Sequence, residues 1–294
     1  MRVRLPLTAP YAVGPVLASL AAHAVPGAEV VDTGSATVNR AVPAPHGPAV
    51  VTARLAAGGA EADLDLAHPD DAGHVVALVR RWLDLDADPA AVAGHLASDR
   101  RLAPLVGARP GLRVLGHVDG FEAAVTTVLG QQVSLAAART FAGRLVAAFG
   151  RPVRDSLVAF PSPEVLAAAG PEHVRRKVGI TGARARTVHA LATACADGLV
   201  IAPDGDDGEV RRRLLELPGV GPWTADYLAL RVLGDRDALP AGDLVLRRAL
   251  GMTAREVTVA AEVWRPVRAY AVTHLWTAAA YLKAPARERA GDSR

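Results

Sequence analysis

The sequence predicts a two-part chain, in which a small antiparallel sheet with at least one helix precedes a larger all-helical region. Three observations carry that expectation. Ala62, Leu64 and Leu66 alternate with Glu61, Asp63 and Asp65, the period of a strand with one buried face. From Asp70 onward the apolar spacing becomes that of helices and stays so. Further along, Leu217-Pro218-Gly219-Val220-Gly221-Pro222-Trp223-Thr224-Ala225 forms a glycine hairpin between two helical stretches. At 294 residues the chain has room for two cores. The junction is expected between Asp84 and Pro89, giving a mixed α+β domain over 1–86 and a helical region over 87–294.

In chain order, residues 3–7 read as a strand and 13–25 as a helix bounded by Pro10 and Pro26. Strands follow at 29–32, 37–42, 49–56 and 62–66, with turns at Gly47-Pro48 and Gly58-Gly59. Asp70 or Asp71 suits the cap of a helix over 75–83, and Asp88-Pro89 opens another near 90–96. Ser134 caps a helix over 135–149 that Gly150 ends, with Leu145, Val146 and Phe149 on its inner face. Further helices are expected at 163–169, 184–197, 208–217, 222–233, 244–250 and 257–282. Asp207 or Gly208 is the expected cap before the hairpin.

Hydrophobic residues make up 51% of the chain, yet no apolar run reaches the roughly 20 residues that span a bilayer. The stretch 13–25 is too short and holds Pro15 and His23. No basic leader precedes an apolar stretch, so a soluble cytoplasmic protein is expected. The single cysteine, Cys195, excludes an internal disulfide and any four-cysteine zinc or iron–sulfur site. The nine histidines show no HExxH spacing, so neither metal nor cofactor is expected. Residues 1–100 hold 7 Lys/Arg against 11 Asp/Glu and the remainder 26 against 19, which fits a polyanion partner for the helical region; arginine-rich solvated helices produce the same bias. With no heptad pattern, a monomer is expected.

The hairpin has a physical logic. Gly219 and Gly221 permit unusual backbone angles and leave amide groups uncovered, and Pro222 suits the first helical position. Amides at a helix start attract a phosphate, with Arg211, Arg212 and Arg213 on the preceding helix beside them. A plain helix–helix turn shares this pattern. Trp223, Tyr227 and Leu230 continue at helical spacing, and a candidate catalytic carboxylate, Asp243, follows Trp223 by twenty residues. Asp243 also reads as an ordinary helix cap, and the two roles are compatible.

The hairpin with Trp223-Thr224-Ala225, and the later Pro240-Ala241-Gly242-Asp243, resemble the helix-hairpin-helix DNA glycosylase superfamily. The chain resembles more closely its AlkA-type members, the DNA-3-methyladenine glycosylases II. Gly116-His117-Val118-Asp119-Gly120-Phe121-Glu122, Gly130-Gln131-Gln132-Val133-Ser134, Trp264-Arg265-Pro266 and His274-Leu275-Trp276 extend the likeness over nearly the whole chain. The resemblance implies a TATA-binding-protein-like first domain and a base-excision enzyme bound to double-stranded DNA containing alkylated bases, at the nucleoid. It makes Asp243 catalytic and Trp223, Tyr227 and Trp276 the walls of a base pocket, with core packing as the alternative reading of each aromatic. It gives Gln132 the wedge position and Gln131 the minor-groove side, where a polar turn is the plainer reading, and it makes Gly219 and Gly221 DNA contacts with help from Arg247 or Arg248. It allows a monovalent cation on the carbonyls of Leu215, Leu217 and Val220. Some relatives carry an aromatic where Leu244 stands. Lyase relatives carry a lysine at the Trp223 position, so the implied reaction stops at the abasic site. A non-enzymatic DNA-binding protein, or a glycosylase for uracil, hypoxanthine or an oxidised purine, remains open.

Overall fold

Alternating small and branched residues build the first part. In the computed structural model, which describes residues 1–154, 157–203 and 205–281, strands β1 (Arg2–Leu5), β2 (Glu29–Asp32), β3 (Thr37–Val42), β4 (Ala49–Ala56) and β5 (Gly59–Asp65) form one sheet. Its order is β1-β5-β4-β3-β2, antiparallel throughout. The register sets Val51 opposite Leu64, Ala53 opposite Ala62 and Leu55 opposite Ala60, so the inward side chains of β4 and β5 share one face. Helices α1 (Val13–His23) and α2 (Ala72–Trp82) supply Val16, Leu17, Leu20, Val75, Leu78, Val79 and Trp82 to the same core. Leu115 and Val118 complete it.

The start of α2 differs from expectation. A single 3-10 turn, Pro69–Asp71, precedes it, and the Asp71 carboxylate caps nothing. It accepts from His46 Nδ1 at 2.7 Å and from the His46 amide at 3.3 Å. A histidine on a neighbouring loop has outcompeted the helix's own amides.

The helical part comprises α3 (Pro89–Leu96), α4 (Ala103–Ala108), α5 (Gly120–Gly130), α6 (Leu135–Phe149), α7 (Pro163–Ala169), α8 (Pro171–Val178), α9 (Gly182–Ala196), α10 (Asp207–Leu215), α11 (Pro222–Leu228), α12 (Leu244–Leu250), α13 (Ala254–Ala260) and α14 (Arg268–Trp276). Asp88 and Ser134 cap α3 and α6 as expected, whereas α10 takes Asp206 as its cap, one residue early. Two cores hold this part together. One surrounds α5, where Val125, Val128 and Leu129 meet Leu145, Leu191, Leu214 and Leu228. The other joins Leu96 and Leu102 to Trp264, Tyr270 and Leu275.

Two expectations about helices are corrected. The stretch 257–282 is not one helix: α13 runs into a 3-10 turn at Ala261–Trp264, the chain turns at Arg265-Pro266, and α14 ends in a π turn at Thr277–Tyr281. Pro266 has no amide to donate and its ring cannot sit inside a helix, which separates the pieces; Leu282 lies outside the described residues. The second is α5, a stretch left out of the expected helices. Phe121, Glu122, Ala123, Ala124, Val125, Thr127, Val128 and Leu129 are all buried, so no polar stripe marks its period. Among the described residues no helix is long and apolar enough to cross a membrane.

Candidate active site

A cleft of about 1060 Å³ opens where the sheet domain and the two helical cores meet, and Gly219, Gly221, Trp223, Tyr227, Asp243 and Trp276 all line it. Its outer rim is the hairpin. Between α10 and α11 the Val220 amide donates to Leu217 O at 3.1 Å, so one of the three carbonyls proposed for a cation already accepts a turn hydrogen bond. Gly219 has φ +81°, and a Cβ there would collide with Thr187 Oγ1. Gly221 has φ −109°, an extended angle open to any residue, and its Cβ position faces open space. The unusual backbone is therefore confined to Gly219, while Gly221 leaves the first amides of α11 uncovered ahead of Pro222.

The arginines of α10 do not stand free beside those amides. Arg211 pairs with Asp226 at 2.5 Å, Arg212 is held by Glu209 and Glu216, and Arg213 donates to Gly198 O at 3.4 Å. Arg247 and Arg248 lie in the last turn of α12, and Arg248 is exposed.

Asp243 is at once cap and candidate catalyst. Its Oδ1 accepts from the Leu246 amide at 2.8 Å, which starts α12. The indole of Trp276 donates to the same oxygen at 2.9 Å, and that of Trp223 donates to Oδ2 at 3.1 Å. Three fixed donors orient the carboxylate, and Oδ2, with one donor, keeps acceptor capacity for a group entering the cleft. The rings form a continuous wall: Trp223 and Tyr227 have centroids 5.6 Å apart, and Tyr227 and Trp276 5.7 Å. The spacing Trp223–Tyr227 is one helical turn of α11, while Trp276 arrives from the end of α14. Leu244, 53% exposed, stands at the rim.

Gln131 and Gln132 occupy the turn between α5 and α6. Gln131 reaches across to the hairpin, where its amide Nε2 donates to Gly219 O and to Thr224 Oγ1, each at 3.1 Å, while its own carbonyl accepts from Arg184 at 2.5 Å. It is a strut between the two loops at the mouth of the cleft. Gln132 is exposed and has φ +54°, a conformation that side-chain-bearing residues rarely adopt.

Glu29, Arg40 and His23 also line the cleft, and none of them carried a signal in the sequence. Arg40 of β3 donates to both oxygens of Glu122 at 2.7 and 2.9 Å and lies 3.5 Å from Glu29 of β2. Burial raises Glu122 to about 7 against the opposing pull of Arg40, and raises Glu29 in the same direction. His23 falls to about 4 through burial and the nearby Arg231 cation, and its ring meets Tyr281 edge-on at 5.2 Å. Arg40, Glu29 and His23 come from the sheet domain, so only tertiary folding brings them to the helical site.

The stretch that carries the hairpin and Asp243 belongs to one class of base-excision proteins: residues 125–259 match the family model of the HhH-GPD superfamily base excision DNA repair proteins. Residues 2–119 match the AlkA N-terminal domain. The DNA-3-methyladenine glycosylase 2 of Escherichia coli is 34% identical over 91% of this chain and 94% of its own length. The probable bifunctional transcriptional activator/DNA repair enzyme AlkA of Mycobacterium tuberculosis is 46% identical over 94% of this chain. The chain spans only 56% of that relative's length. In fold, the 3-methyladenine DNA-glycosylase from Archaeoglobus fulgidus superposes with a TM-score of 0.82 over 95% of this chain and 98% of its own, at 21% identity. The chain belongs to the AlkA-type DNA-3-methyladenine glycosylase II family of the HhH-GPD superfamily.

Proposed function

We propose that the chain is a monofunctional DNA glycosylase that rotates an alkylated base, such as 3-methyladenine or 7-methylguanine, out of duplex DNA and hydrolyses its N-glycosidic bond to leave an abasic site. The observation that carries this reading is the Asp243 carboxylate, oriented by the indoles of Trp223 and Trp276 in an aromatic-walled cleft. Cleavage builds positive charge on the sugar, and a fixed carboxylate stabilises it electrostatically. The same group orients the attacking water through its remaining acceptor site.

A base alkylated at a ring nitrogen is already cationic and leaves without a general acid. Stacking and cation–π contact with Trp223, Tyr227 and Trp276 attract it, each worth about 0.5–2 kcal/mol. Such contacts discriminate weakly and support a broad lesion range. Extraction leaves a gap in the duplex, and Gln132, exposed at the mouth of the cleft, is the side chain to fill it. The uncovered amides after Gly219 and Gly221 grip the backbone phosphates. Trp223 stands where lyase relatives carry an amine, so no Schiff base forms through it. We further infer a monomer working at the cytoplasmic nucleoid.

The test is incubation with methylated duplex DNA, chromatography of released bases, and borohydride trapping of any imine. Free alkylated bases with no trapped adduct are expected. Binding without base release contradicts the glycosylase reading, and a trapped adduct contradicts the monofunctional one.

A further inference from the structure

Trp223, Tyr227 and Arg231 recur at four-residue intervals along α11 and the π turn that follows it, Ala229–Leu233, and all three line the cleft. A cation on the wall of a pocket for cationic bases demands a reason. Packing provides none, because the Arg231 Nε is buried without a hydrogen-bond partner among the described residues. The cleft holds a matching orphan. Glu29 is 8% exposed, and its Oε2 lies 3.5 Å from Arg40, but Arg40 spends its closer contacts on Glu122. Glu29 Oε1 is left with no donor. Arg231 and Glu29 therefore line the same cavity from two different domains, each with one polar atom, Nε and Oε1, shielded beneath the surface and unpaired among the described residues.

Base edges differ in just these terms. Guanine presents the O6 acceptor where adenine presents the N6 amino donor. Beside O6, guanine adds the donors N1–H and N2–H2. We propose that the inner end of the cleft reads the Watson–Crick edge of an alkylated guanine, with Arg231 donating to O6 and Glu29 accepting from N1–H and N2–H2. This rests on the glycosylase reading and names which lesions that site prefers. An alkylated adenine turns its amino group toward the Arg231 donors and gains only the stacking. Flipped bases are read in general by such edge contacts together with stacking, and here the aromatic wall supplies the second while Arg231 and Glu29 supply the first.

Duplex DNA treated with a methylating agent carries both 7-methylguanine and 3-methyladenine, so one substrate reports both releases and their ratio is insensitive to a loss of folded protein. In Arg231→Met and in Glu29→Gln, release of 7-methylguanine relative to 3-methyladenine is expected to fall about tenfold or more. Arg231→Lys, which keeps a donor, is expected to retain most of the ratio. A ratio unchanged within about twofold in both variants overturns the proposal, as does an equal fall for both bases. The free bases provide the second measurement, by quenching of tryptophan fluorescence in the intact chain. The unsubstituted protein is expected to bind free 7-methylguanine more tightly than free 3-methyladenine, and Arg231→Met to abolish the difference. If the chain releases neither base from DNA the glycosylase reading fails, while absence of this preference in the free-base measurement overturns the edge reading itself.

Discussion

Trp276 donates its indole N–H to Oδ1 of Asp243 at 2.9 Å, so a ring that walls the cleft also holds the carboxylate. Replacement Trp276→Phe keeps an aromatic face and removes the donor. A hydrogen bond to a charged group contributes about 1.5–3 kcal/mol. Single-turnover release of alkylated bases is therefore expected to slow by about tenfold or more, and the melting temperature to fall as well, because Trp276 is buried. An unchanged rate would mean that the indole serves as a stacking surface alone.

The two hairpin glycines are expected to fail differently. In Gly219→Ala the side chain must enter a left-handed backbone and displace Thr187, which lowers the melting temperature as well as DNA affinity. Gly221→Ala meets neither obstacle, because its backbone is extended and its surroundings open. Its melting temperature is expected to hold while affinity for duplex DNA drops, since the methyl group stands at the uncovered amides. Thermal unfolding and an equilibrium binding titration separate the two effects.

These glycines illustrate how far the sequence could be read. A Gly-x-Gly pair suggests two special backbone positions, but the left-handed backbone angle and the contact with Thr187, distant in sequence, set Gly219 alone apart. Alternation in β5 and the Ser134 cap of α6 were legible because each is a local rule acting within a few residues. Helix α5 was not, since burial on every side erases the polar stripe that marks a period. The turn at Pro266 was overrun because the apolar spacing on either side continues through it. At the site, Trp223, Tyr227 and Asp243 share one local motif and Trp276 joins them in the structure. Glu29, Arg40 and His23 reach the cleft from a different domain, and nothing in their sequence neighbourhood signals that.

Arg40 and Glu122 form the charged joint between the sheet domain and α5, with both side chains about 3% exposed. Arg40→Met leaves a buried carboxylate without its partner and is expected to cost about 3–5 kcal/mol in a denaturant titration near neutral pH. The pH dependence has a definite sign. Glu122 titrates at about 7 in the folded chain, above its ordinary 4.5, so the stabilisation from its protonated form is present at low pH and lost as pH rises through 7. Glu122→Gln cannot lose that proton. Relative to the unsubstituted protein, its melting temperature is expected to improve between pH 4.5 and 7, and a constant gap across that window would contradict the assignment.

Gln132 is expected to matter in proportion to the cost of opening the duplex. Gln132→Ala should slow release of a base that is paired and stacked, and have a smaller effect on the same lesion in single-stranded DNA, where no gap needs filling. Equal slowing on both substrates would remove the wedge from the mechanism. Gln131→Ala acts elsewhere: it detaches the turn from Gly219 and Thr224, and is expected to weaken duplex binding.

The most direct measurement of the central claim uses Asp243→Asn. Asparagine keeps the helix cap, so α12 and the fold are expected to remain. Release of alkylated bases from methylated duplex DNA is expected to fall by at least about a hundredfold, while affinity for a duplex carrying an abasic-site analogue stays within about threefold. Base release by Asp243→Asn at the rate of the unsubstituted chain would contradict the assignment of Asp243 as the catalytic carboxylate.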